Sequence, residues 1–505
     1  MERLLDIQKN KYVLIVLLFI ISLVTLLFCS KNSPLYCFND WVDANAFFTM
    51  GKGMFNGKVP YKDLFEQKGP LLYLIYGIGY IMSHDTFTGV FILECISFCT
   101  FLYYVFLISK LYLKDYYSLL VILLTSSIIC TSTAFVQGGS AEEFCLPFFA
   151  YSSYSFIHIV MKNDWNKKHL FINGFIAGCI SLIKFNLLGF WFIWMAMYFF
   201  RLVYVKKIFK AIKSCLYFLI GMLIPIALSI LYFGVNNALK DYFDVYIVFN
   251  FSAYSTKIDI RTRIINMIYA IYNQMRVDKS IYFSLIIGFI SIIIPKIYKN
   301  YWVNSFIFLS FIFLMIGVYI GGLPFVYYFL CFEFYIIFGF IFIFKIYDHF
   351  NVNRHIGYIM LIAICLCFST YQIRKNHNIS DIYYQKKDYS QFIFKEIINQ
   401  SEDKTILNYD NLDGGFYTAC DIVPNIKYFM RQNVDYNRYP QIIDGQNRYI
   451  QNKDVKFVII REYYANIGYR NKIPYLSQNY NEIMSYTQIY EGMEFTYYLY
   501  ELKVV

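Results

Sequence analysis

Long apolar segments separated by short polar stretches dominate the chain from Tyr12 to Tyr371. Each segment is continuous and close to the roughly 20 residues that a helix needs to cross a bilayer. A transmembrane β-barrel would instead show short segments of alternating polarity. The predicted crossings are residues 12–28, 89–108, 117–136, 142–161, 169–184, 186–204, 212–233, 281–299, 301–320, 323–345 and 354–371. The pattern therefore predicts an α-helical polytopic membrane protein with about 11 spans.

The apolar segment at residues 71–82 is shorter than the others. About a dozen residues is the length expected of a re-entrant or interfacial helix, so we predict that it does not fully cross. Cytoplasmic loops are rich in Lys and Arg, which sets the orientation. Lys9 and Lys11 precede the first span, and later basic loops lie at 110–114, 162–168, 206–213, 296–299 and 345–354. With these in the cytoplasm, loop 31–70 is extracytoplasmic; a full crossing by 71–82 would require a compensating change further along.

The composition changes after residue 371, where Asn, Asp, Lys and Gln become frequent. The pattern predicts buried strands at 405–409 and 456–461 and a hairpin, 487–490 with 495–500, around Glu491 and Gly492. Helical stretches lie between them. We predict two domains: a membrane domain, 1–371, and a small extracytoplasmic α/β domain, 372–505.

Overall composition supports a membrane protein and argues against a nucleic-acid partner. Hydrophobic residues make up 58% of the chain and charged residues 16%. A soluble core could not bury so much apolar surface, so the bilayer is the predicted environment. The net charge of +11 reflects the cytoplasmic loops, and no basic and aromatic array suggests nucleic acid.

The first outer loop, residues 31–70, concentrates ionisable residues between two apolar segments. We predict that Asp40 or Asp43 caps a helix, which would place both carboxylates on one face and an apolar side along the bilayer surface. Gly57 ends that helix, Pro60 starts a turn, and residues 61–67 form a second short helix. Solvated caps are the simpler interpretation of the two aspartates. The loop also carries Asp63, Glu66 and Lys68.

Two further features lie at the predicted outer ends of spans. Glu142 and Glu143 follow Ser140, and carboxylates at a membrane edge are candidates for function. The alternative for Glu143 is a capping role, since Ser140 and Glu143 have the spacing of a capping box. Lys184 ends an apolar segment, where it either extends to water or binds an anionic headgroup.

Carboxylates and lysines at an outer-leaflet cavity suit sugar transfer from a lipid phosphate. A carboxylate would activate the acceptor hydroxyl as a general base. Cations would stabilise the departing phosphate. The lipid tail would enter sideways between spans.

The same loop resembles the GT-C superfamily of polyprenyl-phosphate-sugar-dependent glycosyltransferases, including protein O-mannosyltransferases and aminoarabinose transferases. The resemblance covers about residues 1–345 and is most specific in the first loop. Its motifs here are the acid Asp43, the turn Gly57-Lys58-Val59-Pro60-Tyr61-Lys62-Asp63, Lys68-Gly69-Pro70-Leu71, Glu142 with Phe144 and Pro147, Leu182-Ile183-Lys184, and residues 322–330 with Tyr327-Tyr328. The chain departs from the family at Gly69, where a proline is expected, and at Tyr327, where a histidine is expected.

The resemblance implies an extracytoplasmic active site that transfers sugar with inversion. Asp43 is the implied base with Asp40 as second candidate, Glu142 orients a substrate, and Lys68 and Lys184 bind the donor phosphate. The remaining candidates, for substrate positioning, are Asp63, Glu66, Glu143 and Tyr328. The implied partners are a polyprenyl-phosphate sugar and an envelope polysaccharide, lipid or protein acceptor. We expect no cofactor and no metal, although relatives with pyrophosphate donors use a divalent metal.

A transporter or flippase of lipid-linked sugars is the alternative function. Such a protein would also have cationic pockets, but it should show inverted repeats and discontinuous helices at mid-membrane. Neither is evident in the sequence. A structural role in an envelope assembly would explain the C-terminal domain but not the paired acids.

Overall fold

The computed structural model describes residues 11–163, 165–255, 258–294, 300–349, 354–490 and 492–503. Lys9 and the whole of the predicted basic loop at 296–299 lie outside the described residues, as does Glu491 of the predicted hairpin. The helices of the apolar region are Lys11–Cys29 (α1), Val42–Phe55 (α2), Pro70–Met82 (α3), Thr88–Lys110 (α4), Asp115–Cys130 (α5), Ala141–Lys162 (α6), Lys167–Ile183 (α7), Gly189–Tyr204 (α8), Ile208–Val235 (α9), Leu239–Tyr242 (α10), Ile260–Val277 (α11), Lys279–Ile293 (α12), Tyr301–Tyr319 (α13), Leu330–Glu333 (α14), Ile336–His349 (α15) and Arg354–Arg374 (α16).

These helices confirm the predicted polytopic membrane protein. Within the described ranges, eight helical stretches are long and apolar enough to cross a membrane: Lys11–Cys29, Thr88–Lys110, Ala141–Lys162, Phe185–Tyr204, Ile208–Val235, Tyr301–Tyr319, Val326–His349 and Gly357–Arg374. Shorter apolar helices are α3, α5 and α12. At about 1.5 Å per residue, α3 extends about 20 Å, less than the roughly 30 Å hydrocarbon core.

The described chain divides into two compact units. The first contains the described parts of Met1–Ser33, Phe91–Ser229 and Thr256–Ile379, and the second contains those of Pro34–Val90, Ile230–Ser255 and Ser380–Val505. The first loop and the C-terminal residues thus share a unit: Thr49 and Asp413 are hydrogen-bonded there across 364 positions of sequence. The domain boundary after residue 371 stays a prediction.

Helix α2 is buried against protein, so the prediction that its apolar side lies along the bilayer surface is wrong. The side chains from Ala44 to Gly53 are all buried, without the exposed side of a surface helix. Helix α3 packs closely on it, and a Cβ added to Gly51 would lie 2.4 Å from the Gly77 nitrogen. Glycine at this contact allows the two backbones to meet, and a side chain would separate the helices.

The C-terminal residues form the predicted α/β fold. Strands Ile406–Asn408 (β1), Phe457–Tyr463 (β2), Tyr480–Tyr490 (β3) and Met493–Leu502 (β4) make one sheet in the order β1-β2-β4-β3. Pairing is parallel between β1 and β2 and antiparallel elsewhere. Central strand β2 begins with four consecutive buried residues, as expected for a strand covered on both faces. Helices of this part are Ser390–Ile398 (α17), Phe416–Ala419 (α18), Gln441–Asn452 (α19) and Leu476–Asn479 (α20).

Both strands of the hairpin are longer than predicted. Strand β3 begins at Tyr480 and not at Thr487, and β4 runs from Met493 to Leu502. The early residues of β3 pair in register with the end of β4, where Tyr480 lies opposite Leu502. Exposed polar residues in this part of β3 hide the alternating pattern. The predicted turn is present, with Gly492 at a φ of 76°.

Candidate active site

The predicted site residues fall into two groups. Asp40, Asp43, Asp63, Glu66 and Lys68 belong to the second unit. Glu142, Glu143, Lys184 and Tyr328 belong to the first.

Asp40 and Asp43 have different surroundings, which corrects the prediction that both could lie on one helix face. Helix α2 begins at Val42, after Trp41 in an extended conformation, and no side chain caps it. Asp43 is therefore in the first helical turn, and Asp40 precedes the helix. The Asp40 carboxylate contributes to raising the pKa of Tyr389 and Tyr497, which burial raises most strongly.

Asp43 faces a group that contains Lys68 and Tyr254. Asp43 and Phe47 are one turn apart on α2 and share a face, and the Lys68 Nζ lies 5.6 Å from the centre of the Phe47 ring. Burial raises the pKa of Tyr254, with Lys68 lowering it and Asp43 and Glu66 raising it. The charges of Lys68, Asp43 and Glu66 thus all act on the Tyr254 phenol.

Tyr254 was not among the residues that the sequence singled out. It ends a π-helical segment, Phe243–Tyr254, that continues α10. Asn250 on that segment donates a hydrogen bond to the Gln67 carbonyl at 2.9 Å, which fixes it beside the loop. Asn250 and Gln67 are 183 positions apart in sequence, so only a prediction of tertiary contacts could have found Tyr254.

The turn from Gly57 to Asp63 is built around Tyr61. This residue has a φ of 68° and is fully buried, so the predicted short helix over 61–67 is wrong. Its ring packs near those of Tyr73 and Tyr246, at 6.0 and 6.2 Å between centres, and its hydroxyl donates to the Lys68 carbonyl at 2.6 Å. Asp63 accepts a hydrogen bond from the Val59 amide at 2.7 Å and closes the turn.

Glu66 positions the segment that carries Lys68. It is 3% exposed, and its Oε2 accepts hydrogen bonds from the Lys68 amide at 2.7 Å and from the Tyr73 hydroxyl. Burial raises the pKa of the Glu66 carboxyl, while the Lys68 ammonium lowers it. Tyr73 also donates to the Lys68 carbonyl at 2.9 Å. The loop around Lys68 is therefore held by Glu66, Tyr61 and Tyr73.

Helix α2 is also fastened to the C-terminal part of the same unit. Lys52 is fully buried, and its Nζ donates to Asp421 at 2.9 Å and to the Tyr417 carbonyl at 3.0 Å. One turn earlier, the Thr49 hydroxyl donates to Asp413 Oδ2 at 2.6 Å. Since Asp43 lies on the same helix, these contacts set its position.

The thermal stability of the protein should carry a pH-dependent contribution from Asp413. Burial raises the pKa of this carboxyl to about 6, against the lowering effects of Thr49, the Gly415 amide and Lys52. The folded state therefore favours the protonated form. That contribution is fully present below the unfolded pKa of about 4 and is lost as the pH rises through about 6, by about 3 kcal/mol in all.

Thermal unfolding of the full chain in nanodiscs between pH 4.5 and 7.5 measures this contribution. Asp413→Asn cannot ionise, so the variant should gain stability relative to wild type as the pH rises. Asp454→Asn, which changes an exposed carboxylate, is the matched control. Parallel pH profiles for wild type and Asp413→Asn would contradict the assigned ionisation.

In the first unit, the structure brings together Glu142, Lys184 and Tyr328 from three separate segments. Glu142 is in the first turn of α6, and Lys184 directly follows α7. Lys184 is 7% exposed, and its Nζ donates to Glu142 Oε1 and lies 3.6 Å from the centre of the Tyr328 ring. Lys184 therefore does not extend to water, as one interpretation of the sequence held. The second carboxylate oxygen, Glu142 Oε2, is buried and has no hydrogen-bond partner among the described residues.

Glu143 makes the capping contacts that the sequence predicts as its alternative role. Ser140 accepts a hydrogen bond from the Glu143 amide at 3.0 Å, and Glu143 Oε2 accepts one from the Gly139 amide at 2.7 Å. Glu94, which sequence reasoning missed, lies within hydrogen-bonding reach of Glu143 and accepts from the Ser30 hydroxyl at 3.0 Å. A lone ionisable residue inside the apolar segment 89–108 was the available signal.

An apolar cleft of about 500 Å³ lies in the same unit. Its walls come from α7 and α8, the two helices that Lys184 joins, and from α9. Leu188 and Trp191 line it shortly after Lys184 in the chain, and Phe218 and Met222 line it from α9. Its dimensions and apolar walls suit a hydrocarbon chain.

Comparison with known proteins identifies the fold. No protein-family model matches the chain, and no curated protein matches it. Two crystal structures of ArnT from Cupriavidus metallidurans, one bound to undecaprenyl phosphate and one in the apo state, superpose with TM-scores of 0.57 and 0.58. Each match has 9% sequence identity and covers 96% of this chain and 97% of the other. The chain therefore shares the fold of ArnT, a helical membrane fold of the kind that the resemblance of its first loop predicts.

Proposed function

We propose that this chain is an integral membrane glycosyltransferase that moves a sugar from a polyprenyl-phosphate donor to a hydroxyl of a cell-envelope acceptor. The observation that carries the proposal is the buried Glu142–Lys184 pair, in a unit that also contains an apolar cleft and in a chain with the fold of ArnT. The cleft would take part of the polyprenyl tail. Undecaprenyl phosphate bound to ArnT supports a donor of this class.

In the proposed reaction, the acceptor oxygen attacks the anomeric carbon with inversion. The bond from that carbon to the phosphate oxygen breaks, and its electron pair leaves with polyprenyl phosphate. Asp43 takes the acceptor proton, and Lys68 and Lys184 stabilise the charge that develops on the phosphate. Glu142 orients a substrate hydroxyl, which would satisfy its buried Oε2. Glu66, Asp63 and Glu143 act through the backbone that they hold.

Deletion of the encoding gene tests the proposal in the cell. Mass spectrometry of envelope polysaccharides, lipids and glycoproteins should show the loss of one sugar from one acceptor, with the polyprenyl-phosphate sugar accumulating. Expression of the wild-type protein should restore the sugar, and expression of Asp43→Asn should not. An unchanged set of envelope sugars would contradict the proposed function.

The proposed site faces the outside of the cell, which follows from the basic loops and can be measured by cysteine labelling. Lys62→Cys and Lys472→Cys, both at exposed positions of the second unit, should react with an impermeant maleimide on intact cells. Lys168→Cys, exposed beside the start of α7, should react only after permeabilisation. Wild-type protein gives the background from the native cysteines. Labelling of Lys168→Cys on intact cells would reverse the orientation.

A further inference from the structure

A cavity of about 160 Å³ lies among the C-terminal residues of the second unit. We name it the tyrosine cavity, defined by Asp410, Arg431, Tyr436, Tyr439 and Tyr469; three aliphatic side chains complete its wall. It is smaller than the pockets of roughly 300 Å³ and above that hold drug-sized ligands. A single sugar ring is a ligand of suitable size.

The polar wall of the cavity is a fixed pair of charges. Arg431 Nη1 donates to Asp410 Oδ1 at 2.9 Å, and the Tyr469 hydroxyl donates to Asp410 Oδ2 at 2.6 Å. Asp410 has a φ of 51°, in the left-handed region, and its amide donates to the buried Gln446 at 2.9 Å. Such backbone conformations are retained where the surroundings enforce them and are frequent at ligand sites.

The ligand chemistry follows from this wall. The ion pair offers donors and acceptors with little net charge, which suits hydroxyl groups better than a phosphate or another lone anion. The tyrosine rings offer negatively polarised faces to the C–H groups of a sugar. Tyr436, 48% exposed, leaves its ring accessible, and its hydroxyl donates to Asp444 at 3.1 Å.

The cavity is linked to the loop that carries Lys68. The ring of Tyr439 stacks on that of Phe65, with 5.5 Å between centres and 24° between planes. Phe65 directly precedes Glu66, and its amide donates to the Lys427 carbonyl at 2.9 Å. Arg438, the residue before Tyr439, donates to the Ser252 carbonyl at 2.7 Å, and Ser252 lies two residues before Tyr254.

We propose that the tyrosine cavity is a carbohydrate subsite that holds a pyranose unit of the acceptor. Its role as an acceptor site rests on the proposed function, whereas sugar binding by itself does not. Asp410 and Arg431 would contact ring hydroxyls, and Tyr436 would cover one face of the ring. The acceptor implied is therefore itself a glycan or a glycolipid.

Saturation-transfer difference NMR on the full chain in nanodiscs tests the subsite. The probes are the methyl glycosides of glucose, galactose and mannose, with glycerol as the control polyol. At least one glycoside should bind wild type. Asp410→Asn should weaken its affinity about tenfold, the loss expected for one hydrogen bond to a charged group. Tyr436→Ala should also weaken it by up to about tenfold, because it removes the aromatic face that covers the ring. Tyr464→Ala, which removes an exposed tyrosine outside the cavity, should bind as wild type does.

The possible results distinguish the carbohydrate subsite from the proposed transferase function. Absence of glycoside binding, equal binding by Tyr436→Ala and wild type, or displacement of the glycoside by inorganic phosphate would each overturn the subsite. Asp43→Asn should still bind the glycoside although it transfers no sugar. Glycoside binding in a protein with no transferase activity would leave the subsite in place and remove the proposed function.

Discussion

Asp43→Asn should lower sugar transfer by about two to four orders of magnitude, because it removes the proposed proton acceptor of the reaction. The substitution keeps the size of the side chain. It removes no helix cap, because α2 begins without a side-chain cap. The protein should therefore insert and fold normally. Rates of transfer in proteoliposomes, with gel filtration in detergent to check folding, measure the effect.

Asp40→Asn is the matched control for this experiment. Asp40 lies before α2 and its charge acts on Tyr389 and Tyr497, whereas the charge of Asp43 acts on Tyr254. Its amide variant should keep most of the activity. If Asp40→Asn were inactive and Asp43→Asn active, the other carboxylate would be the base.

The second large effect is expected from Lys184 and its buried partner. Lys184→Met leaves Glu142 as a buried, unpaired carboxylate, which should destabilise the protein by about 3 to 5 kcal/mol and abolish transfer. Combining it with Glu142→Gln removes both charges and should restore most of the stability. Transfer should stay at least about a hundredfold below wild type, because the proposed cation for the phosphate is still missing.

The double variant separates a catalytic from a structural role. Recovery of activity together with stability in Lys184→Met/Glu142→Gln would mean that Lys184 only neutralises Glu142. The control is the exposed pair Lys114–Asp348, whose side chains are 55% and 38% exposed. Removing both charges there should change stability by less than about 1 kcal/mol.

Much of the architecture could be predicted from the sequence because it depends on local patterns. Continuous apolar segments predict the spans, and lone charges at their ends drew attention to Glu142 and Lys184. Helix α2 ends at Phe55, and Gly57 follows it with a φ of 80°, as predicted for the glycine that stops the helix. In these cases a short stretch of sequence contains the whole physical cause.

The errors occur where distant residues decide the local structure. Residues 61–67 have a helix-compatible sequence, but burial of the Tyr61 ring against the distant rings of Tyr242 and Tyr246 imposes a tight turn. Helix α2 looks suited to a bilayer surface, yet C-terminal residues such as Asp421 pair with Lys52 and bury it. Neither contact has a signal in the local sequence.

The candidate site residues also divide into those that the local sequence identifies and those that only the tertiary structure identifies. Asp43, Lys68, Glu142 and Lys184 stand out by charge and by resemblance to a family, so sequence finds them. Tyr254 is one tyrosine among 51, and only its packing beside Lys68 distinguishes it. Roles for all of these residues stay predictions until they are tested by substitution.

Transfer in proteoliposomes from a polyprenyl-phosphate sugar, radiolabelled separately in the sugar and in the phosphate, tests the central claim most directly. The acceptor is an envelope extract from the deletion strain, supplied on the side where Lys62→Cys is accessible. We predict that the sugar label moves to the acceptor while the phosphate label stays with the polyprenyl chain, and that Asp43→Asn abolishes this separation. Movement of both labels together across the bilayer, with the sugar still attached to the lipid, would contradict glycosyl transfer and identify a transporter.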